Sequence, residues 1–462
     1  SANTSSSWAF GGGLQTTPNR LLDLDPKNIK DITVLKGLSA TVLYGEQGRN
    51  GVIIVTTKSG DFGGENPGSG FSITLDQSVY ATEISSRPTY QNSYGGGFDQ
   101  FFGWFFSNWG PKFSETDPAI FGSFRLPSGE WATYLDNPGV SFMGFDTDGT
   151  VLIRHPLMSH SGTRGAFPEL ATATYRYEAK RDPIDAFFRT GLASTTNLNI
   201  SGGTEDIRVN VTYSRSAEEG FTPNNTLDRD AFSIGASYKV TDRLTAQTTF
   251  NMSLTDMTSP PTSAGGGSGP AAGGGSTSVF ADIMYTPRSI DLSMPYSNPV
   301  TGGSSYYRGG NDIPHPVWTS ENVRTMNNTQ RFFGKTEFRY RAMDGLNLVY
   351  RLGYDTYNEY QEYRQNPGGV RPAALNNGFF QTIDLKGENW DHNLNAIFDF
   401  QLAESISLDG TLGAQYISER RERQGLESKE MIIFGFFEHT NFTNQAATNF
   451  FSGADFQNLI ER

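Results

Sequence analysis

The five histidines are the residues whose metal chemistry would be easiest to recognise, and their spacing matches no metal-binding signature. They occupy positions 155, 160, 315, 392 and 439, and only His155 and His160 lie close together in a polar segment. No spacing singles out an acid and base pair, and there is no Gly-x-Ser-x-Gly elbow. The triplet Gly11-Gly12-Gly13 lacks the following Lys-Ser/Thr pair of a phosphate-binding loop. We therefore expect no enzyme, no metal site and no cofactor.

Aromatic side chains in the long polar segments could bind a ligand. Their flat faces stack on sugar rings or grip the apolar parts of a peptide. The candidates for such contacts are Trp104, Phe105, Trp109, Tyr306, Tyr307 and Trp318. The alternative is that these rings pack loops against each other.

The composition excludes several partners and chemistries. Among 462 residues, 36 Lys and Arg face 49 Asp and Glu, for a formal charge of −13. Nucleic acid is not expected as a partner, because binding phosphates requires a basic face. The chain has no cysteine, which excludes disulfides and thiolate sites. No apolar run reaches the length of about 18 residues that predicts a membrane-spanning helix, but strands of about 9–11 residues can cross a membrane.

Alternation of apolar and polar residues with period two is the strongest structural signal in the chain. It continues on both sides of four short turns, at residues 202–205, 241–243, 343–345 and 403–405. One further strand is predicted from Phe71 to about Ile84. The sequence therefore predicts nine antiparallel strands, each with one apolar and one polar face.

Short turns alternate with long polar segments, which predict loops at 86–194, 217–230, 257–328, 364–388 and 425–462. A transmembrane β-barrel shows this alternation, with short periplasmic turns, long extracellular loops and a polar lumen. A soluble β-sandwich is the alternative, although its loops should not sort so cleanly by length. Because closed bacterial barrels normally have an even number of strands, we expect further strands on the C-terminal side.

Residues 21–60 predict a small α/β unit instead. A strand is expected at Ile32 to Leu35, a helix from Ser39 and a second strand at Val52 to Thr57. The continuous apolar run Val52 to Val55 is typical of a strand that is buried on both faces.

This segment resembles the C-terminal half of the plug domain in SusC/RagA-type TonB-dependent outer-membrane transporters. The resemblance lies in three stretches, DITVLKG at 31–37, ATVLYG at 40–45 and NGVIIVTTKSG at 50–60. The motif residues are Asp31, Val34, Leu35, Lys36, Gly37, Ala40, Tyr44, Gly45, Asn50, Gly51, Val52, Thr56, Thr57, Lys58 and Gly60. Further matches are WGPK at 109–112, which favours a structural role for Trp109, and the strand start at 196–203. Glu46 departs from the family, which prefers a small residue there.

The resemblance implies a mainly β fold with two parts. Residues 1–68 would be the C-terminal part of a plug domain, and residues 69–462 the N-terminal portion of a transmembrane antiparallel β-barrel. The complete barrel would have about 22 strands and hold the plug in its lumen. The plug would face the periplasm and the long loops the cell exterior.

The function that the resemblance implies is TonB-dependent import of a nutrient, an oligosaccharide or a peptide, across the outer membrane. The implied partners are a SusD-like surface lipoprotein covering the extracellular loops, the TonB-ExbB-ExbD energy-coupling complex, the lipid bilayer and the glycan or peptide substrate. The loop aromatics would then contact either the substrate or this lipoprotein. Two alternatives remain, a TonB-dependent siderophore or cobalamin receptor and a structural or adhesion barrel that does not transport; the pattern at 29–60 favours nutrient import over the siderophore or cobalamin receptor.

Overall fold

One large antiparallel sheet dominates the computed structural model. The structure describes residues 24, 28–36, 49–57, 70–87, 89–103, 107–122, 124–125, 131–132, 141–261, 278–307, 314–369, 377–403 and 406–461. The strands in chain order are β1 (Ile29–Leu35), β2 (Val52–Thr57), β3 (Gly70–Thr82), β4 (Gly97–Phe98), β5 (Phe101–Phe102), β6 (Phe124–Arg125), β7 (Trp131–Ala132), β8 (Phe142–Phe145), β9 (Val151–Arg154), β10 (Thr174–Arg176), β11 (Gly191–Gly203), β12 (Ile207–Glu219), β13 (Thr226–Lys239), β14 (Leu244–Ser259), β15 (Val323–Met343), β16 (Leu346–Gln365), β17 (Phe379–Ala403), β18 (Ile406–Met431) and β19 (Phe442–Glu461).

Helices are short and lie between the strands of the large sheet. The α-helices are α1 (Ser161–Arg164), α2 (Pro183–Phe187), α3 (Val279–Met284) and α4 (Pro316–Asn322), and the 3-10 turns are Pro118–Phe121, Pro156–Met158, Pro168–Leu170 and His439–Asn441. Among the described residues, no helix has the length and apolar character needed to cross a bilayer.

The large sheet contains ten strands, and each pairs antiparallel with the next along the chain. Its order is β3, β11, β12, β13, β14, β15, β16, β17, β18, β19. Seven short strands, β4 to β10, lie in the connection between β3 and β11. The turn between β15 and β16 requires Gly345, whose φ of +81° favours glycine and where a Cβ would come within 2.5 Å of the carbonyl oxygen of Asp399.

All nine predicted long strands are present, but several predicted loops are wrong. β18 continues to Met431 and β19 covers Phe442–Glu461, so the predicted loop at 425–462 is mostly strand. The loops predicted at 217–230 and 364–388 shrink to 220–225 and 366–378, because the strands on either side are longer than their alternating parts. Backbone pairing continues where apolar residues no longer keep to the outer face of the strand, and there the alternating pattern gives no clear signal.

The strands β1 and β2 form a separate antiparallel pair, with Leu35 opposite Val52. Both lie where strands were predicted, whereas the helix predicted from Ser39 lies outside the described residues. The expectation that Val52 to Val55 is buried on both faces is wrong, since Ile53 is 54% exposed and its partner Val34 is 53% exposed.

The large sheet buries its polar face and exposes its apolar face. On β13, Ser233 and Ser237 are buried while Phe232 and Tyr238 are exposed. Apolar cross-strand partners run along one row from β3 to β15, namely Leu75, Leu198, Tyr213, Phe232, Met252 and Phe332. A soluble sandwich would bury the apolar face between two sheets. This sheet does the reverse.

The exposed apolar residues form a belt of limited height. On β18 the outward positions are apolar from Ile406 to Tyr416 and then become Arg420 and Glu422. That stretch of eleven residues matches the 9–11 or so that a tilted strand needs to cross the hydrocarbon layer. Three hydrophobic clusters of buried residues lie in the long connections, and a fourth packs Trp318 of α4 against Val323, Tyr363 and Phe379 at the ends of β15, β16 and β17.

A belt of this kind predicts that a charge destabilises the protein within the belt and has little effect beyond it on the same strand. Leu412→Lys places an ammonium group within the belt and should destabilise the folded protein in lipid vesicles by about 2–4 kcal/mol. The control is Gln424→Lys, on the same face of β18 but beyond the belt, and it should be nearly neutral. Urea unfolding in vesicles measures both, and equal effects would contradict a lipid-facing belt.

Candidate functional site

A buried polar contact attaches the start of β1 to the polar face of the large sheet. The side-chain amide of Asn28 donates to Ser233 Oγ and to Asn251 Oδ1, both at 2.7 Å. Ser233 also donates to Asn251, at 2.9 Å, and these two residues are register partners on β13 and β14. Asn28 is only 3% exposed. Among the described residues, the segment that carries the plug-like motif is thus attached to the polar face by side-chain hydrogen bonds.

The described motif residues lie along β1 and β2. Asp31, Val34 and Leu35 are in β1 and Lys36 follows it; Asn50 and Gly51 precede β2, which contains Val52, Thr56 and Thr57. Gly51 has a φ of +92°, and a Cβ there would come within 3.1 Å of the carbonyl oxygen of Leu35, so glycine is needed for the chain to enter β2. The remaining motif residues, Gly37, Ala40, Tyr44, Gly45, Lys58 and Gly60, lie outside the described residues.

Exposed aromatic rings gather on the connection between β3 and β11. β4 and β5 form a tight hairpin with Asp99 and Gln100 at positive φ in the turn. Phe98 and Phe101 are 55% and 56% exposed, and Trp109 is 48% exposed and packs edge-on against Phe98 with ring centroids 4.7 Å apart. We call Phe98, Phe101 and Trp109 the aromatic cluster. The predicted residues Trp104 and Phe105 lie outside the described residues.

The motif at 109–112 holds this cluster in place. Gly110 donates its backbone N–H to the Gly95 carbonyl at 3.1 Å, and Gly95 donates to the Pro111 carbonyl at 3.2 Å. A Cβ at Gly110 would lie 2.3 Å from the carbonyl oxygen of Gly96, so only glycine lets the two backbones pass. The hydroxyl of Tyr177, which is fully buried, donates to the Pro111 carbonyl at 3.0 Å. Trp109 is exposed at the edge of a rigid framework.

Three other predicted aromatics are buried. Tyr306, Tyr307 and Trp318 are 6%, 5% and 0% exposed. Tyr306 donates to the Gly368 carbonyl at 2.6 Å and Trp318 donates to the Gly302 carbonyl at 2.8 Å. The structure places all three in the packing within and between the connections at 260–322 and 366–378, which was the alternative considered for them. Their contact with a ligand stays a prediction.

Sequence reasoning missed Phe98 and Phe101. Two phenylalanines that flank Asp99-Gln100 are a hairpin signal, since a two-residue turn at positive φ favours Asp or Asn. The signal is short, however, and it stands in a run of aromatic residues from 98 to 109 in which exposed and buried rings look alike. Phe102, the next residue, packs against Phe121 and Tyr177 in the interior.

The histidines in the long connections are structural in their contacts. His155 and His315 accept a backbone N–H at the start of short helices, from Leu157 and Val317, each at 3.3 Å. Burial lowers the pKa of His155 and His160, and it lowers the pKa of His315 to about 4. Within the part of the chain that the structure describes, no group of three or more His, Asp or Glu side chains is placed to hold a metal ion.

An arginine occupies the acidic turn at 146–150. Arg176 forms ion pairs with Asp146, with Asp148 at 2.6 Å and with Glu178 at 3.1 Å. The hydrogen bonds from Arg176 and Thr150 hold the pKa of Asp148 well below its usual range. The cation that balances this turn is thus a side chain of the same connection.

The Asn28 contact predicts a measurable coupling. Asn28→Ala and Asn251→Ala should each weaken the attachment of β1, because they leave buried polar partners unpaired, at a cost of about 1–3 kcal/mol. The double variant should show a coupling energy of about 0.5–3 kcal/mol, since the two side chains touch. Hydrogen exchange of the β1 and β2 amides measures it. Asn199→Ala is the control: its amide bonds to Thr212 on the same polar face, and no coupling with Asn28 is expected.

His315 predicts a pH dependence of the loop that contains α4. Its pKa is about 4 in the folded chain against 6.5 when free, so the unfolded loop binds a proton that the folded loop does not. Stability should therefore fall as pH decreases from about 6.5 toward 4. His315→Asn keeps a side-chain acceptor for the Val317 N–H and should remove this fall. Hydrogen exchange at 316–323, corrected for intrinsic rates, measures it, and an unchanged pH slope in the variant would refute the assignment.

The sequence of the chain was compared with those of known proteins. No protein-family model matches the chain. TonB-dependent receptor SusC of Bacteroides thetaiotaomicron is 39% identical over 75 residues, which are 16% of this chain and 7% of that receptor. TonB-dependent receptor P26 of Formosa agariphila is 37% identical over 59 residues, which are 13% of this chain and 6% of that receptor.

The solved structures that match do so in fold. The RagAB peptide importer in its closed-closed state superposes with a TM-score of 0.61 at 15% identity, over 96% of this chain and 45% of that chain. Its open-open state gives 0.61 at 16% identity, over 97% and 45%. The chain thus spans less than half the length of the solved chains that it matches. These findings confirm the resemblance predicted from the motif: the chain is similar to SusC/RagA-type TonB-dependent transporters, in sequence over a short segment and in fold over nearly all of its length.

Proposed function

We propose that the chain forms part of a TonB-dependent outer-membrane importer of a nutrient, an oligosaccharide or a peptide. The observation that carries the proposal is the inverted burial of the large sheet, in which Ser and Thr side chains are buried and the belt of Phe, Leu, Ile and Tyr is exposed. A sheet with an apolar outer face and a polar inner face suits a bilayer outside and an aqueous lumen within.

In the complete protein, the sheet closes into a barrel of about 22 strands. Both edge strands have room for a further partner, since β3 and β19 each pair on one side only among the described residues. All thirteen residues of β3 are exposed, and its free edge leaves backbone N–H and C=O groups that a further strand would pair. The plug, of which residues 1–68 are the C-terminal part, lies in the lumen.

The proposed orientation is supported by the difference in length between the connections at the two ends of the strands. The short turns face the periplasm, and the long connections at 83–190 and 260–322 face the cell exterior. A SusD-like surface lipoprotein covers these connections and traps the substrate. The TonB-ExbB-ExbD complex pulls on the plug from the periplasm, and the two hydrogen bonds that Asn28 donates to Ser233 and Asn251 are contacts that such a pull breaks.

The aromatic cluster is the part of the chain best suited to hold a substrate. The three rings are about half exposed. The neighbouring Phe102 packs on the interior ring of Tyr177, which also packs against Phe121. Rings that are already fixed in position bind sugar faces or apolar peptide side chains without the loss of conformational entropy that ordering a flexible loop would cost. The proposed activity is transport and makes or breaks no bond of the substrate. Because RagAB is a peptide importer, peptides are the first substrates to test.

The test is uptake by the complete transporter in its own host. A deletion strain should lose growth on one class of polymer, and restored wild-type protein should recover it. The triple variant Phe98→Ala, Phe101→Ala and Trp109→Ala should lower uptake of that polymer at least tenfold. The matched control is Phe145→Ala, which removes another half-exposed ring of the same connection.

Each outcome separates the proposal from its alternatives. A growth defect confined to iron or cobalamin limitation would replace nutrient import with siderophore or cobalamin uptake. Wild-type growth under all these conditions after deletion would favour a structural or adhesion barrel. Full uptake by the triple variant, with the transporter present at normal level, would remove the aromatic cluster from the substrate site.

A further inference from the structure

One arginine is buried without a carboxylate partner. Arg288 follows α3 in the connection between β14 and β15 and is 6% exposed. In the part of the chain that the structure describes, its guanidinium forms no ion pair and its Nη1 atom has no hydrogen-bond partner. Because a guanidinium stays charged, burying it without an anion costs free energy. This charge therefore weakens the folded connection, which points to a role in binding.

The carboxylates of the neighbouring segments have other partners. The N–H of Lys180 donates to the Arg288 carbonyl at 2.8 Å, which places this part of the connection between β3 and β11 beside Arg288. There, Glu178 pairs with Lys180 at 2.9 Å, and Asp182 caps the start of α2. Asp291, three residues after Arg288, accepts a backbone N–H at 2.9 Å. These carboxylates are held in contacts of their own.

The side chain of Asn92 covers the guanidinium. Its carbonyl oxygen accepts from Nε of Arg288 at 3.0 Å and from Nη2 at 2.8 Å, so that one neutral oxygen takes both donors of this edge. A carboxylate can bind such an edge with two parallel hydrogen bonds, one from each of its oxygens. Asn92 is exposed, so the rotation of one surface side chain uncovers the edge. An amide thus occupies the position that a carboxylate would fill.

Arg288 and the aromatic cluster belong to one framework. The N–H of Arg288 donates to the side-chain oxygen of Asn108 at 2.7 Å, and Asn108 directly precedes Trp109. The next residue, Ser289, accepts through Oγ from the N–H of Gly96 at 2.9 Å, where the chain enters β4. Since β4 and the segment at 109 carry rings of the cluster, these hydrogen bonds fix Arg288 relative to the rings.

We propose that Arg288 binds a carboxylate group of the substrate, which displaces the side chain of Asn92. The chain itself already covers Arg288, so its edge becomes available to another group only when Asn92 moves. The inference rests on the proposed function and adds the chemical class of the nutrient: an apolar or ring-shaped part meets the aromatic cluster, and a carboxylate meets Arg288. An acidic sugar of an oligosaccharide and a free carboxylate of a peptide share this chemistry.

The first test is the binding of matched acidic and neutral probes to the purified complete transporter, measured by calorimetry. The pairs are N-acetylphenylalanine with its amide, and methyl glucuronide with methyl glucoside. We expect the acid to bind about tenfold tighter than its neutral counterpart, because a charge-assisted hydrogen bond replaces a neutral one. A preference in the first pair alone assigns a peptide carboxylate, and one in the second pair alone assigns an acidic sugar. Equal binding of acid and neutral probe in both pairs overturns the proposal.

Two variants of the exposed Asn92 connect this preference to Arg288. Asn92→Ala removes the cover and should raise the affinity for the acid, because no side chain has to be displaced. Asn92→Asp places a carboxylate on the same edge and should abolish the preference. Ser93→Asp is the matched control: it adds the same charge at the next exposed position, and in about 0.15 M salt it should leave the preference unchanged. A preference that survives in Asn92→Asp overturns the assignment.

A further measurement needs no ligand. Asn92→Asp pairs the buried charge, so it should slow hydrogen exchange of the Lys180 amide, which donates to the Arg288 carbonyl, by about tenfold. Ser93→Asp should not slow it, and unchanged exchange in Asn92→Asp would count against an unpaired charge at Arg288.

Uptake separates this inference from nutrient import. Equal binding of acid and neutral probes by a transporter with normal uptake removes the carboxylate site and leaves import standing. An acid preference in a transporter that supports no nutrient uptake in its host removes import and leaves the carboxylate site standing.

Discussion

The antiparallel hydrogen-bond ladder from β3 to β19 is the interaction on which the rest of the structure depends. A sheet that turns its apolar residues outward cannot satisfy backbone N–H and C=O groups from an apolar surround, so every strand must find them on its neighbours. The register is continuous over long stretches, as between β16 and β17, where Leu346 to Gln365 pair without interruption. That ladder, and not a buried apolar layer, is what makes the sheet a single unit.

The same constraint moves the hydrophobic cores into the connections. With the inner face of the sheet mostly polar, most apolar burial occurs where the connections fold on each other or against the strand ends. Separate clusters form around Leu157 and Ile290 and around Phe121 and Ile153 in the connections, and a third joins Trp318 of α4 to Tyr363 near the end of β16. These cores make the long connections defined structures. Defined connections can hold an exposed aromatic cluster on one of them and a buried arginine on another.

The polar face also sets how the β1 and β2 pair is attached. Hydrogen bonds among Asn28, Ser233 and Asn251 are directional, so they fix a position, but each contributes only about 0.5–1.5 kcal/mol net because water offers equivalent partners. An attachment of that kind is specific and can still be broken by a modest force. Apolar packing of β1 and β2 against the sheet would have been harder to reverse in water.

The sequence by itself determined what depends on neighbouring residues. Period-two alternation and short turns located all nine long strands that it predicted, and the stretches at 31–37 and 50–60 indicated the similarity to SusC/RagA-type transporters, because each signal is complete within a few dozen residues. The tertiary structure alone decided three other features. β19, the part of β17 before His392 and the part of β18 after Tyr416 form because a neighbouring strand supplies the hydrogen bonds, whatever their side chains. Trp318 is buried while Phe98 is exposed, although both are aromatic residues in polar segments. Asn28 finds Ser233 at a distance of 205 residues along the chain, a contact that no local pattern encodes because it exists only when the two parts of the chain meet.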